Sequence, residues 1–192
     1  MWIDPIILEG THVRLEPMSE AHLAGLQTAA AHPEIWAWTW PGEDPETVVE
    51  WMQASFKARD AGSDQPFTTI DKATGEIVGS TRFMGITPEH RRLEIGNTWL
   101  CPKAQRSPIN TEAKLLMMTH AFEAKDTVRL EFKTHHRNEK SRNAILRLGA
   151  VQEGILRRHM IFRGDYRDSV YFSVLQDEWP SVKQRLEEKL KR

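Results

Sequence analysis

The chain has 192 residues, enough for one domain with a real core and too few for two comfortable ones. Its 26 lysines and arginines stand against 27 aspartates and glutamates, a formal net charge of -1, so no long-range field draws it to nucleic acid or to an anionic membrane. The single cysteine, Cys101, excludes an internal disulfide and a cysteine-rich zinc site and fits a reducing compartment.

The first ten residues hold a short apolar stretch, Ile6, Ile7 and Leu8, between the acidic Asp4 and Glu9, with no basic start. They do not read as a signal peptide. Nowhere is there an apolar run of the length that spans a bilayer. The expectation is a cytoplasmic protein, organised as a single domain over residues 1–192 without internal repeats.

In chain order, residues 11–15 (Thr-His-Val-Arg-Leu) alternate polar and apolar side chains as a half-buried strand does. Ser19 caps a helix over 20–31, and a second helix runs over 45–59 with Pro45 in its first turn. Strands follow at 67–70 and 77–84, turned by Asp71-Lys72-Ala73-Thr74-Gly75, and a second hairpin leads into a strand over 93–100. Residues 109–124 carry apolar side chains on too broad a stripe for one exposed face, so this helix is largely buried. Val128, Leu130 and Phe132 alternate as a strand, and 138–148 form a helix closed by Gly149. Strands at 154–162 and 167–175, turned at Gly164-Asp165, precede a charged helix over about 178–192. The sum is a mixed α/β protein, a sheet flanked by helices.

Two places carry chemistry. Gln105-Arg106-Ser107-Pro108-Ile109-Asn110-Thr111 follows a strand and starts the buried helix, with Ser107 as N-cap and Pro108 as first helical residue. Unpaired N–H groups and the positive end of the helix dipole suit such a start to an anion, although a well-made helix start has the same features. In Asn138-Glu139-Lys140-Ser141, Ser141 precedes Ala144 by three and Ile145 by four residues, which turns its hydroxyl to the inner face. Its partner there is either backbone or a ligand.

Taken in order, the Gln105 loop, the Thr111-Glu112-Ala113 helix, Asn138-x-x-Ser141, Leu148-Gly149-Ala150 and Glu153-Gly154-x-Leu156-Arg157, after an opening Leu8-x-Gly10-x-x-Val13-Arg14-Leu15, resemble the GNAT acetyltransferases. The likeness is to their ribosomal-protein N-acetyltransferase (RimJ/RimL-like) branch. It implies a mostly antiparallel central sheet of six or seven strands, splayed in the middle and flanked by about four to five helices. It implies acetyl-CoA as cofactor, with pyrophosphate on backbone N–H groups of Arg106, Ser107, Ile109, Asn110 and Thr111 beside Gln105. Asn138 would bond the pantetheine arm, Ser141 would lie near the thioester sulfur, and Arg106 and Arg142 would add charge near phosphate. Backbone groups of Thr98, Trp99 and Leu100 would polarise the thioester carbonyl. The chain departs from the family loop at Pro108 and Asn110, where small residues are usual, and proline lacks an N–H.

Acetylation requires a neutral amine, so something must take its proton. Glu94 is the candidate base, directly or through water; alternation places it on one face with Gly96, Thr98 and Leu100, opposite Leu93, Ile95 and Trp99, with Gly96 marking a bulge. The bland alternative is a strand carboxylate paired with Arg91 or Arg92. Ser141 is the first candidate to protonate the leaving thiolate and Tyr171 the second. Cys101 reads as buried filler rather than a nucleophile. Trp36, Trp38 and Trp40 recur every second residue where the family builds its acceptor site, and either grip the acceptor or fill the gap beneath a loop. His135 and His136 would point to opposite sides if extended, against joint metal binding, and no zinc-protease, serine-hydrolase or Walker motif occurs.

The leading expectation is an N-acetyltransferase that moves an acetyl group directly to a primary amine on a protein N-terminus, a peptide or a small molecule. Nucleic acid and membrane are not expected partners; a homodimer is compatible with the chain, and no residue pattern marks its interface. The competing expectations are a CoA-binding regulatory module without transfer and a cofactor-free scaffold using the tryptophan-rich loop.

Overall fold

A computed structural model of the chain describes residues 2–39 and 44–191. Among them eight strands form one sheet: β1 (Leu8–Glu9), β2 (Val13–Pro17), β3 (Gln65–Asp71), β4 (Ile77–Thr87), β5 (Arg92–Leu100), β6 (Arg129–His135), β7 (Val151–Phe162) and β8 (Asp165–Leu175). Their spatial order is β1-β2-β3-β4-β5-β6-β8-β7. The extra strand beyond the six or seven expected is β1, two residues long, paired with β2 through Leu8↔Leu15 and Glu9↔Arg14. Neighbours are antiparallel except β5 and β6, which run parallel and share only three pairs, Arg92↔Arg129, Leu93↔Leu130 and Glu94↔Glu131. Beyond Glu94 the two strands part, which is the splay the family resemblance implies.

Among the described residues five α-helices flank the sheet: α1 (Leu23–Ala30), α2 (Pro45–Asp60), α3 (Pro108–Thr119), α4 (Glu139–Leu148) and α5 (Trp179–Leu190). The helix expected over 20–31 is two pieces, since residues 20–22 form a tighter 3-10 turn ahead of α1. α3 loosens into a π-helical turn at His120–Ala124. α4 has the ends its sequence specifies, with Asn138 accepting from the Ser141 N–H at 3.0 Å and Gly149 left-handed at φ 101°. No helix among the described residues is long and apolar enough to cross a membrane.

The two faces of the sheet are covered differently. α1 and α2 pack over one side of β3 and β4, and α3 and α5 pack together on the other, where Phe122 stacks on Trp179 with centroids 5.2 Å apart. The alternation of β5 does not run uninterrupted. Its register against β4 slips between Arg82↔Gly96 and Ser80↔Trp99, leaving one extra residue on β5, and Asn97 takes the left-handed conformation there, φ 48°. Asparagine tolerates that region better than most residues. The bulge therefore lies one residue past Gly96, and it inverts the expected faces of the residues after it. Thr98 turns to α3, where its hydroxyl meets Lys114 at 2.7 Å. Trp99 turns to α2, where its ring meets Trp51 edge-on at 5.9 Å.

A buried carboxylate joins the start of α3 to the first strands. Glu112 is 6 % exposed, and its two oxygens accept the backbone N–H groups of Thr11, His12 and Val13 at 2.8, 2.6 and 2.8 Å. Gly10 lies against it so closely that an added Cβ would sit 2.4 Å from the carboxyl carbon, which accounts for glycine in the opening motif. Charge-assisted bonds of this kind are worth about 1.5–3 kcal/mol each. Glu112→Gln keeps the shape but halves the acceptors, so we expect a loss of roughly 2 kcal/mol and a melting temperature lower by about 4–8 °C. Unchanged melting would show that the carboxylate holds nothing.

Candidate active site

The gap beyond Glu94 is lined by β5 on one side and by β6 on the other, with β8 beyond β6. Glu94 itself is 8 % exposed. Burial holds its carboxyl above the ordinary glutamate range, against the opposing pull of Lys133 and with help from Glu131 and Asp64. The Lys133 ammonium lies 3.4 Å away. Arg91 and Arg92, the partners weighed from sequence, pair instead with Asp126 and Glu131. The carboxylate folds back along its strand over Gly96, where an added Cβ would lie 2.8 Å from its oxygen and 2.6 Å from the Met84 sulfur. Gly96 is thus required by close approach rather than by the bulge. Tyr171 on β8 stands opposite Lys133 on β6, with the ammonium 5.7 Å from its ring centre and His159 edge-on at 5.6 Å.

The backbone of β5 also turns groups into the gap. The Cys101 N–H donates to the Val78 carbonyl at 2.8 Å, so by strand alternation the Trp99 N–H faces β4 as well, and the Leu100 N–H faces away from it. Of the three backbone donors expected, Trp99 is therefore turned away, Leu100 faces the gap, and Thr98 sits in the bulge.

At the mouth of the gap two helix starts meet. The Gln105 amide donates to the Leu100 carbonyl at 2.8 Å and accepts from Lys140 on α4. Arg106 is left-handed, φ 61°, and exposed. Ser107 caps α3, accepting from the Ile109 N–H at 3.3 Å and donating to the Ala104 carbonyl at 2.7 Å. The Asn110 N–H lies in the first turn, where no intrahelical acceptor exists, the Thr111 N–H has the Ser107 carbonyl four residues back, and Pro108 has no N–H to offer. Thr111 is buried and its hydroxyl accepts from Arg147 at 3.5 Å. On α4 the Asn138 side-chain oxygen is committed to its cap, which leaves the amide nitrogen for a ligand. Ser141 is half-buried. Arg142 donates to the His136 carbonyl at 3.3 Å, while its Nε is buried without a partner. Donors of this kind suit an anion, with Arg106 just ahead of α3 and Lys140, Arg142 and Arg147 on α4.

The tryptophans separate. Trp36 is 2 % exposed, its indole donates to the Ala30 carbonyl at 2.9 Å and its ring meets Trp99 edge-on at 5.1 Å, so it fills the core and lines no pocket. Trp38 is half-buried and packs on His135, 4.5 Å between centroids, on the wall of a cavity. Trp40 lies outside the described residues. His135 and His136 stack at 4.7 Å and 22° rather than pointing apart, because β6 ends at His135 and the chain turns there. No group of three or more metal-ligating side chains forms among the described residues. Cys101 is buried, as filler.

Two features escaped the sequence. Lys114 is buried on α3 against the Thr81 and Thr98 hydroxyls, and the only available signal was a lysine on a helix with too little polar surface to expose it. Arg137 from the turn after β6, Arg163 from the β7–β8 turn and Arg167 from β8 converge onto the cavity beside Trp38, and no spacing in the sequence marks that meeting.

The profile of the acetyltransferase (GNAT) domain matches residues 12–151. The putative ribosomal N-acetyltransferase YdaF of Bacillus subtilis is 31% identical over 109 residues, 57% of this chain and 59% of that protein, so the match spans about three-fifths of that relative's length. A crystal structure of a GCN5-related N-acetyltransferase from Brucella melitensis superposes with TM-score 0.93 at 33% identity, covering 99% of this chain and 87% of that one. Mycobacterium smegmatis RimJ, solved with a CoA-disulfide, shares the fold with TM-score 0.79 at 24% identity over 95% of this chain and 91% of its own.

Proposed function

Because the chain belongs to the acetyltransferase (GNAT) domain family, we propose that it transfers an acetyl group from acetyl-CoA to a primary amine of a peptide or small molecule. The observation that carries this reading is the gap between β5 and β6, with a buried glutamate of raised pKa on its wall and an anion site at its mouth. When bound, acetyl-CoA supplies an acetyl group activated as a thioester. The residues present fit it: the first-turn N–H groups of α3 with Arg106, Lys140, Arg142 and Arg147 suit a pyrophosphate, and the free amide nitrogen of Asn138 suits a pantetheine carbonyl. Pro108 removes one donor, and the surrounding cations offset that loss.

In this reading Glu94 takes the proton from the incoming ammonium, directly or through one water. Its raised pKa brings it nearer the amine's and so improves proton transfer near neutral pH. Lys133 keeps enough of the carboxylate ionised to act. The Leu100 N–H, turned into the gap, is positioned to donate to a carbonyl oxygen there. Ser141 stands first, and Tyr171 second, to return a proton to sulfur.

The test is thermal unfolding with and without acetyl-CoA, followed by thiol release with a panel of amines. At a hundredfold excess over Kd the ligand should stabilise by about 2.7 kcal/mol, and thiol should appear only when an amine is present. A shift without thiol release would favour a CoA-binding regulator. No shift at saturation would favour a scaffold.

A further inference from the structure

The cavity beside Trp38, about 430 Å³, lies between the tip of the β7–β8 hairpin, the end of β6 and the α1–α2 connection, a volume in the range of small-ligand sites. Its charge is one-sided. Among the described residues that line it, Arg137, Arg163 and Arg167 meet one carboxylate, Asp165. Among the described residues no carboxylate lies within 4.0 Å of Arg137 or Arg167. Arg167 is half-buried with its Nε out of water and unpartnered, and it feels the charge of Glu94. Lys133, 3.4 Å from Glu94, is two residues from the cavity's His135 on β6 and shares its face, so the cavity lies one strand step from the candidate base.

The neighbouring histidine reports the same field. His135 is held down to about 4 by burial first, then by His136, Arg167 and Arg137, against an opposing pull from Asp168. It stays neutral at physiological pH and presents a flat ring beside Trp38 instead of another charge.

We propose, resting on the acetyltransferase reading, that this cavity selects an acceptor amine that carries a carboxylate, of the size of an amino acid or a short peptide with a free C-terminus. A guanidinium binds a carboxylate through two parallel N–H donors, which fixes direction as well as charge. With the carboxylate held by Arg167 in the cavity, the amine end extends along the face of β6 that carries His135 and Lys133, towards Glu94. Arg163 is engaged at the Trp36 carbonyl; the other two, Arg137 and Arg167, against Asp165 leave one net positive charge, which matches a monoanion, whereas a dication such as a diamine is repelled. Asp165 also disfavours a phosphate dianion relative to a carboxylate.

The experiment measures kcat/KM by thiol release for a dipeptide, its C-terminal amide, a phosphate-bearing amine, a longer peptide with an internal aspartate, and a diamine. In parallel it measures thermal shifts, with CoA present, for the N-acetylated dipeptide and its amide. The dipeptide should exceed its amide by about tenfold or more, one bidentate pair's worth, and exceed the phosphate-bearing amine, the longer peptide and the diamine. Arg167→Gln and the surface variant Arg137→Gln should bring the acid-to-amide ratio towards one. Turnover without acid preference, or with the amide, phosphate-bearing amine, longer peptide or diamine preferred, overturns the inference and leaves the acetyltransferase reading intact. Acid-specific thermal shifts that vanish in the variants, with no turnover of any amine, support the cavity's selectivity and defeat the acetyltransferase reading. Neither selectivity nor turnover overturns both.

Discussion

Glu94→Gln is expected to lower kcat at neutral pH by roughly a hundredfold or more while the thermal shift produced by acetyl-CoA stays intact. Glutamine fills the same space over Gly96 and accepts from Lys133, but it cannot take a proton. The pH profile carries the sharper signature. A base must be ionised to act, and burial raises the Glu94 carboxyl above the usual 4.5, so the wild-type rate should fall on the acid side through a pKa above that value. The variant should lose that limb. An unchanged rate at pH 7 would remove Glu94 from the chemistry, and a lost CoA shift would make it a structural residue instead.

Lys114→Met should change stability as strongly as any single substitution in the chain, in the direction of gain. The Lys114 ammonium is 4 % exposed and sits under the β5 bulge, donating to the Thr81 and Thr98 hydroxyls at 2.7 Å each. Burial alone pushes it from 10.5 down to about 7. Its folded pKa is therefore below its unfolded one, and between these values the unfolded chain binds a proton that the native chain does not. Stability rises with pH across that window, is complete above 10.5, and is lost as pH falls to about 7. The full gap corresponds to roughly 5 kcal/mol at its outer limit. Methionine matches the stem without the charge, and Thr81 and Thr98 keep one another as partners at 2.8 Å. The variant should melt up to about 10 °C higher at pH 7, with the advantage shrinking as pH rises to 10. A difference that does not vary with pH would show that the amine stays charged or reaches water.

Much of the fold is legible because its signals are local. The cap at Asn138, the stop at Gly149, the Asp71–Gly75 turn and the breadth of apolar residues on α3 each involve neighbours a few positions apart, and each has its counterpart in the structure. Ser107 likewise caps α3 as its type and place require. The same locality explains the errors. Alternation along β5 assumes one residue per step, and a bulge at Asn97, invisible without β4 beside it, exchanges the faces of Thr98 and Trp99. The stacking of His135 on His136 depends on where β6 stops, and that is decided by its pairing with β8.

The sequence by itself determined the order of elements, the helix starts at Ser107 and Asn138 and the motifs that placed the chain in its family, since backbone propensity and capping act within a turn or two. Tertiary structure alone decided which tryptophan fills the core and which walls a cavity, which cation lies beside Glu94, and that a carboxylate on α3 holds N–H groups about a hundred positions away. Those outcomes depend on which strands meet, and burial, with the field it intensifies, exists only once they have met.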